Sequence, residues 1–88
     1  MNIDTFTEHL RQEGFAAITT VEREPGGGLG DHAHPFEAKA LIVAGEITIT
    51  VGGRSATYRA GEIFHLANGV QHEERYGPAG VRYLVGRR

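Results

Sequence analysis

The sequence predicts an all-β barrel preceded by one short helix, and three observations carry that expectation. Thirteen glycines in 88 residues fall between short runs rich in Val, Ile, Thr, Phe and Tyr. Such short strands at turn-length spacing mark sandwiches and barrels. Glu46–Val51 alternates cleanly, with Ile47, Ile49 and Val51 on one side and Thr48 and Thr50 on the other. Gly52-Gly53 then supplies a two-residue hairpin turn that tolerates positive φ at both positions.

The single helix is read over Asp4–Glu13. Phe6 and Leu10 share one face at i, i+4, Asp4 or Thr5 caps the start, and Gly14 ends it. Its expected place is over a sheet face or a barrel end, with His9 solvated. Phe15–Arg23 reads as the first strand, followed by a loose loop at Pro25-Gly26-Gly27-Gly28. Phe36–Ala44 is the next strand, ended by Gly45, and Glu46–Val51 follows it. Arg54–Arg59 returns from the hairpin, Ala60-Gly61 turns, and Glu62–Leu66 continues. Asn68-Gly69 turns again before Val70–Tyr76. Gly77-Pro78 breaks that strand and Val81–Val85 closes the set. About seven strands with tight turns favour closure into a barrel, which removes exposed edges.

Length and composition bound the function. A chain of 88 residues suits one domain over 1–88, with the helix in 1–14 and the barrel in 15–88. The absence of cysteine removes thiol nucleophiles and thiolate ligands, and it fits a reducing compartment. Any transition metal must be held by imidazole and carboxylate. A formal net charge of -2 gives no reason to expect a nucleic-acid partner. Arg87 and Arg88 read as charges that serve solubility. Met1–Leu10 has neither signal-peptide nor anchor character, so the expectation is a cytoplasmic protein that engages no membrane.

Two of the five histidines form His32-Ala33-His34. Residues two apart on an extended chain point to one face, so these imidazoles lie side by side. His72 follows the Asn68-Gly69 turn, and His65 precedes it. An isolated His-x-His pair is more often an ordinary polar feature than a metal site, so the surrounding spacing has to decide.

Gly26 is followed by five residues, His32, one residue and His34, with Gly45 eleven positions later. Gly61, five residues, Ala67, Gly69, two residues and His72 come next. This pattern resembles both signature motifs of the cupin family, and the resemblance runs from Gly26 to Tyr76. It implies a double-stranded β-helix, or jelly-roll, barrel in which His32, His34 and His72 converge on one divalent ion. The strand bearing His-x-His is then expected beside the strand bearing His72.

The family's metal-binding glutamate falls on Ala38. Ala38 shares the His32 and His34 face, whereas Glu37 points the other way and is expected outside the barrel. A bulge at Pro35-Phe36 would reverse that arrangement. The family proline falls on Ala67 and its asparagine on Tyr76. The expected site is three imidazoles with open positions for water or substrate. Three-histidine cupins include ferrous dioxygenases that cleave diketones or oxidise thiols, and this site resembles theirs. Fe, Zn, Ni, Mn and Cu all suit imidazole ligands.

His65 has Ile63's strand parity, which places it either inside the barrel behind the metal, as hydrogen-bond partner or general base, or at the rim. Glu74 shares His72's parity, although a charge cluster after a turn is more often a solvated face. Tyr58, Tyr76 and Tyr83 are core or pocket-lining residues. The functional readings are a metal-dependent dioxygenase or isomerase acting on a small molecule, a non-catalytic small-ligand sensor, and a barrel whose histidines bind nothing. The resemblance also implies pairing as a homodimer.

Overall fold

The structure, a computed structural model, describes residues 1–88. It comprises a helix, α1 (Ile3–Gln12), and six strands: β1 (Ala17–Arg23), β2 (Gly28–His32), β3 (Ala38–Val51), β4 (Arg54–Arg59), β5 (Ile63–Leu66) and β6 (His72–Arg87). The strands form one antiparallel sheet ordered β1-β6-β3-β4, with β2 also on β6 and β5 also on β3. The sheet wraps into the expected jelly-roll barrel.

Strand count differs from expectation because Gly45 and Gly77-Pro78 do not end strands. A 16-residue strand such as β6 extends for roughly 50 Å, yet the molecule's longest dimension is 31 Å. The strand must therefore fold over, and β3 folds with it. One arm of β6 pairs Val81–Arg87 with the first half of β3, and the other pairs Glu73–Tyr76 with its second half. The register shifts between Ile42 and Ala44 and again between Gly45 and Ile47. Bulges of this kind let a ladder bend without losing its hydrogen bonds.

At the corner Gly45 and Gly80 lie back to back, each at φ +73. A Cβ on Gly45 would run into the Gly80 carbonyl. The glycine-rich loop likewise contributes a strand rather than only a turn. β2 can lie close along β6 because Gly28 has no side chain, and a Cβ there would meet the Glu74 carbonyl oxygen at 2.6 Å.

The inward rows of β3 and β6 supply the barrel core, with Ala38, Ala40, Ile42, Ile47 and Ile49 facing Tyr76, Val81, Tyr83 and Val85 across Phe64. A second cluster lies outside the barrel. Phe6 and Leu10 of α1 cover Phe15 and Leu41, with Ile63 and Leu84 at its margin. The helix covers a sheet face as expected, but neither Asp4 nor Thr5 caps it. The cap is Asn2, whose side chain accepts from the Thr5 N–H at 2.7 Å. Arg88, read from sequence as a solubilising charge, is tied down on this outer side. Its Nε donates to Glu37 at 2.7 Å, and its guanidinium lies over Phe15.

The corner gives the first prediction. Gly45→Ala combines a left-handed backbone with a clash against backbone atoms, so it should destabilise the fold by about 3 kcal/mol or more. Gly52→Ala, at a hairpin position with open space around it, should cost about 1–2 kcal/mol. Urea unfolding of the two variants beside the parent checks the difference.

Candidate metal centre

Three elements deliver the site. β2 pairs with β6 in a register that runs Gly28↔Arg75 and Leu29↔Glu74, then shifts so that His32 lies opposite His72. Without that shift Asp31 would face His72. One irregularity in a glycine-rich strand thus sets one imidazole against the other. His34 follows just after β2, and its carbonyl accepts from the Gly69 N–H at 2.9 Å, which ties this segment to the turn before β6. The rings come together at centroid separations of 4.2 Å for His32–His72, 4.9 Å for His32–His34 and 5.2 Å for His34–His72.

Glu74 makes a fourth member. Its donor oxygen and one ring nitrogen from each of the three histidines all lie within 4.8 Å of one another. The sequence reading gave greater weight to a solvated Glu74 and described a site without a carboxylate. The side chain is only 8% exposed, because position 74 follows His72 on the inward row of β6. The signal was present in that parity. Tyr76, two further on, donates from its hydroxyl to Glu74 Oε1 at 3.2 Å and orients the carboxylate.

The hydrogen bonds behind the rings are informative. His32 Nδ1 lies 2.7 Å from the Gly30 carbonyl, and His72 Nδ1 lies 2.9 Å from the Val70 carbonyl. A carbonyl only accepts, so each Nδ1 carries the proton. In a neutral ring that leaves Nε2 as a bare lone pair. Both Nε2 atoms point at the same Glu74 Oε2, each at 3.1 Å.

Three acceptor atoms therefore crowd one point. Protons on both Nε2 atoms would relieve the crowding only by making two imidazoliums 4.2 Å apart, one of them on a residue 1% exposed. A divalent cation relieves it with both rings neutral. Its imidazole and carboxylate ligands lie at roughly 2.0–2.2 Å from the ion, which places neighbouring ligand atoms about 3 Å apart. The donor set and its backing hydrogen bonds fit a metal ion.

Burial lowers the pKa of His34 from 6.5; positive charge on Arg87, or on His32 or His72 if protonated, acts in the same direction, and Glu74 opposes it. Burial, reinforced by Glu74, pushes the Tyr83 phenol up to about 12. Beside the cluster a narrow cavity of about 30 Å³ is lined by His34, Phe36, Phe64, Glu74, Tyr83 and Arg87 among others. Phe36 stacks on His34 with centroids 4.8 Å apart.

The remaining candidates lie elsewhere. His65 has Ile63's parity as expected, but that face is the outer one, where Ile63 packs near α1 and His65 is exposed. Its Nε2 pairs with Glu37, and its ring meets the edge of Phe15. It has no contact with the other imidazoles and does not act behind them. Glu37 is outside the barrel, where hydrogen bonds from Arg88 and then His65 hold its carboxyl below the usual range. Ala38 faces inward and lines the cavity. Tyr58 packs against Phe64 in the core.

The comparisons agree with this architecture. A protein of unknown function from Rhizobium leguminosarum superposes with a TM-score of 0.75 at 18% identity, over 80% of this chain and 66% of that one. The Cnp3 cupin domain of Schizosaccharomyces pombe gives 0.72 at 19% identity, over 81% of this chain and 53% of that one. The polyketide cyclase RemF of Streptomyces resistomycificus gives 0.69 at 25% identity, with the same two coverages, 81% and 53%. The chain thus spans between about half and two thirds of the length of these proteins. No curated protein matches it. No helix is long and apolar enough to cross a membrane. The Cupin_2 profile, described as "Cupin domain", matches residues 19–84, three quarters of the chain, and on that match this protein belongs to the cupin family.

Proposed function

We propose that the chain is a metal-dependent enzyme acting on a small oxygen-bearing molecule, with His32, His34, His72 and Glu74 as ligands of one divalent transition metal. The observation that carries this reading is the convergence of two bare Nε2 lone pairs and one carboxylate oxygen on a single point. Three imidazoles with one carboxylate suit iron, manganese, nickel, zinc or copper. When bound, the ion supplies Lewis-acid polarisation of a substrate oxygen or a binding position for dioxygen.

The chain's own residues set the conditions for that chemistry. Tyr76 fixes Glu74, and the Gly30 and Val70 carbonyls fix the tautomers of His32 and His72. Phe36, Phe64 and Val85 give the cavity an apolar wall that limits water. Tyr83 keeps its proton across the physiological range and can donate it in a hydrogen bond to a ligand oxygen. RemF, described as a polyketide cyclase, shows a related barrel associated with small-molecule chemistry. A second reading, a metal-assisted sensor that binds without turnover, draws on the cavity itself. About 30 Å³ holds only one or two waters.

Elemental analysis of tag-free protein tests the metal. Near-stoichiometric metal is expected in the parent and none in the triple variant His32→Ala, His34→Ala, His72→Ala. Glu74→Gln, which keeps the shape and removes the charge, should weaken affinity by about 100-fold. A parent that takes up none of iron, zinc, nickel, copper or manganese overturns the proposal. An enzyme loses turnover in His72→Ala, whereas a sensor has no turnover and responds to its ligand by a change in stability.

The lowered pKa of His34 sets a pH dependence with a definite sign. In metal-free protein the unfolded chain takes up a proton near pH 6.5 that the folded chain resists. The stability from neutral His34 is therefore complete above that pH. It is lost as pH falls from 6.5 through the lower folded value. Melting temperatures of EDTA-treated protein should fall on acidification, and less so in His34→Gln. Metal uptake should weaken over the same range, because protons compete for the ligands.

A further inference from the structure

Arg87 belongs to the inward row of β6. Val81, Tyr83 and Val85 precede it at alternate positions, all buried in the barrel core. In register Arg87 lies opposite Ala38, whose methyl lines the cavity. Arg87 itself is exposed, and its side chain joins the lining at the mouth of the cavity. Phe36 holds it in place. The Arg87 guanidinium carbon lies 4.9 Å from the Phe36 ring centroid, and the same ring stacks on His34. Phe36 thus contacts both Arg87 at the mouth and His34 of the cluster.

Arg87 is also unspent. It joins none of the protein's ion pairs, whereas its neighbour Arg88 is committed to Glu37. Glu74, which lines the same cavity, is turned toward His32 and His72 instead. A divalent ion with one carboxylate leaves a single positive charge, and Arg87 adds a second. The cavity between them has an anion's worth of charge to fill, and a guanidinium fork matches a planar carboxylate in bidentate geometry.

We infer that the cavity recognises small carboxylates, with Arg87 as the residue that anchors the carboxylate and orients the rest of the molecule toward the His32–His34–His72–Glu74 cluster. This rests on the metal reading above for what the far end of the ligand meets, but Arg87's own role does not require the ion. Because the cavity has room for only one or two waters, the choice is confined to the smallest carboxylates, with the carboxylate held at the mouth and only the short remainder of the molecule inside. Tyr83, on the same wall, offers a neutral hydroxyl to the ligand's second oxygen group.

The test uses zinc-loaded protein and the carboxylates acetate, glycolate and pyruvate, with acetamide and glycolamide as neutral isosteres. Binding is followed by NMR at the Arg87 Nε–H resonance and at backbone amides around the cavity, with zinc stoichiometry measured in parallel. At least one carboxylate should shift these resonances saturably while the amides do not. Arg87→Gln should weaken that binding tenfold or more and keep the parent's zinc content. Arg87→Lys, which retains the charge and loses the fork, should fall between the two.

Equal affinity in Arg87→Gln, equal affinity for the amides, or no carboxylate binding in the parent would each overturn the inference. If the parent takes up no zinc, the metal reading fails and the same titration on metal-free protein decides Arg87's role. Arg87-dependent carboxylate binding there upholds the role, and its absence overturns it.

Discussion

Two strands folded over together hold this molecule in shape. β3 and β6 pair along both arms of a shared bend, from Ala38↔Arg87 to Thr50↔Glu73, and every other strand attaches to one of them. At the bend Gly45 lets its backbone touch that of Gly80, and Gly80 in turn leaves room for the backbone of Arg23–Pro25. The bend's consequence for the site is direct. Glu74 and Arg87 are 13 residues apart on one strand, roughly 43 Å if that strand were straight, yet they line one cavity. The corner brings a carboxylate from one arm and a guanidinium from the other to the same place. No loop needs to move to assemble them.

The same bend explains which features could be read from the sequence. Alternation in Glu46–Val51 and the glycine spacing were sufficient for the barrel, because period-two burial survives a fold in the strand. Strand ends were not readable. A glycine that turns a paired corner has the same composition signal as one that stops a strand, and only the partner's register separates them. His32, His34 and His72 could be grouped from motif spacing. The shift between Leu29 and His32 that actually sets His32 opposite His72 leaves no mark in the residue types.

His65 and Glu74 show the limits of parity. For both, parity along the strand was correct, and what remained open was which face is inside. In β5 the face bearing Ile63 and His65 is the outer one, where Ile63 packs on the cluster of Phe6, Leu10, Phe15 and Leu41 and His65 is exposed beside Glu37, so an inward reading of that face fails. In β6 the polar run Gln71–Arg75 suggested solvent, yet its alternate members face inward, where His72 Nδ1 donates to the Val70 carbonyl and Glu74 accepts from the Tyr76 hydroxyl. Arg87 shares the parity of Val81, Tyr83 and Val85, and at the end of that row it is exposed, as expected for a charge near the end of the chain.

The position of the carboxylate determines the space left in the barrel. In the cupin motif the glutamate falls at position 38, on β3, where this chain has alanine. A glutamate there would add four heavy atoms beyond the alanine's methyl into a cavity of about 30 Å³ and would fill it. Moving the carboxylate to Glu74 returns it to the cluster from the opposite strand, held by Tyr76 from behind, and leaves only the Ala38 methyl on that wall. The same exchange leaves Arg87, directly across the ladder from Ala38, without a carboxylate beside it. A glutamate at position 38 would have offered Arg87 an internal partner. With alanine there, Arg87 has no ion pair within the chain and stays open to the external carboxylate proposed for it.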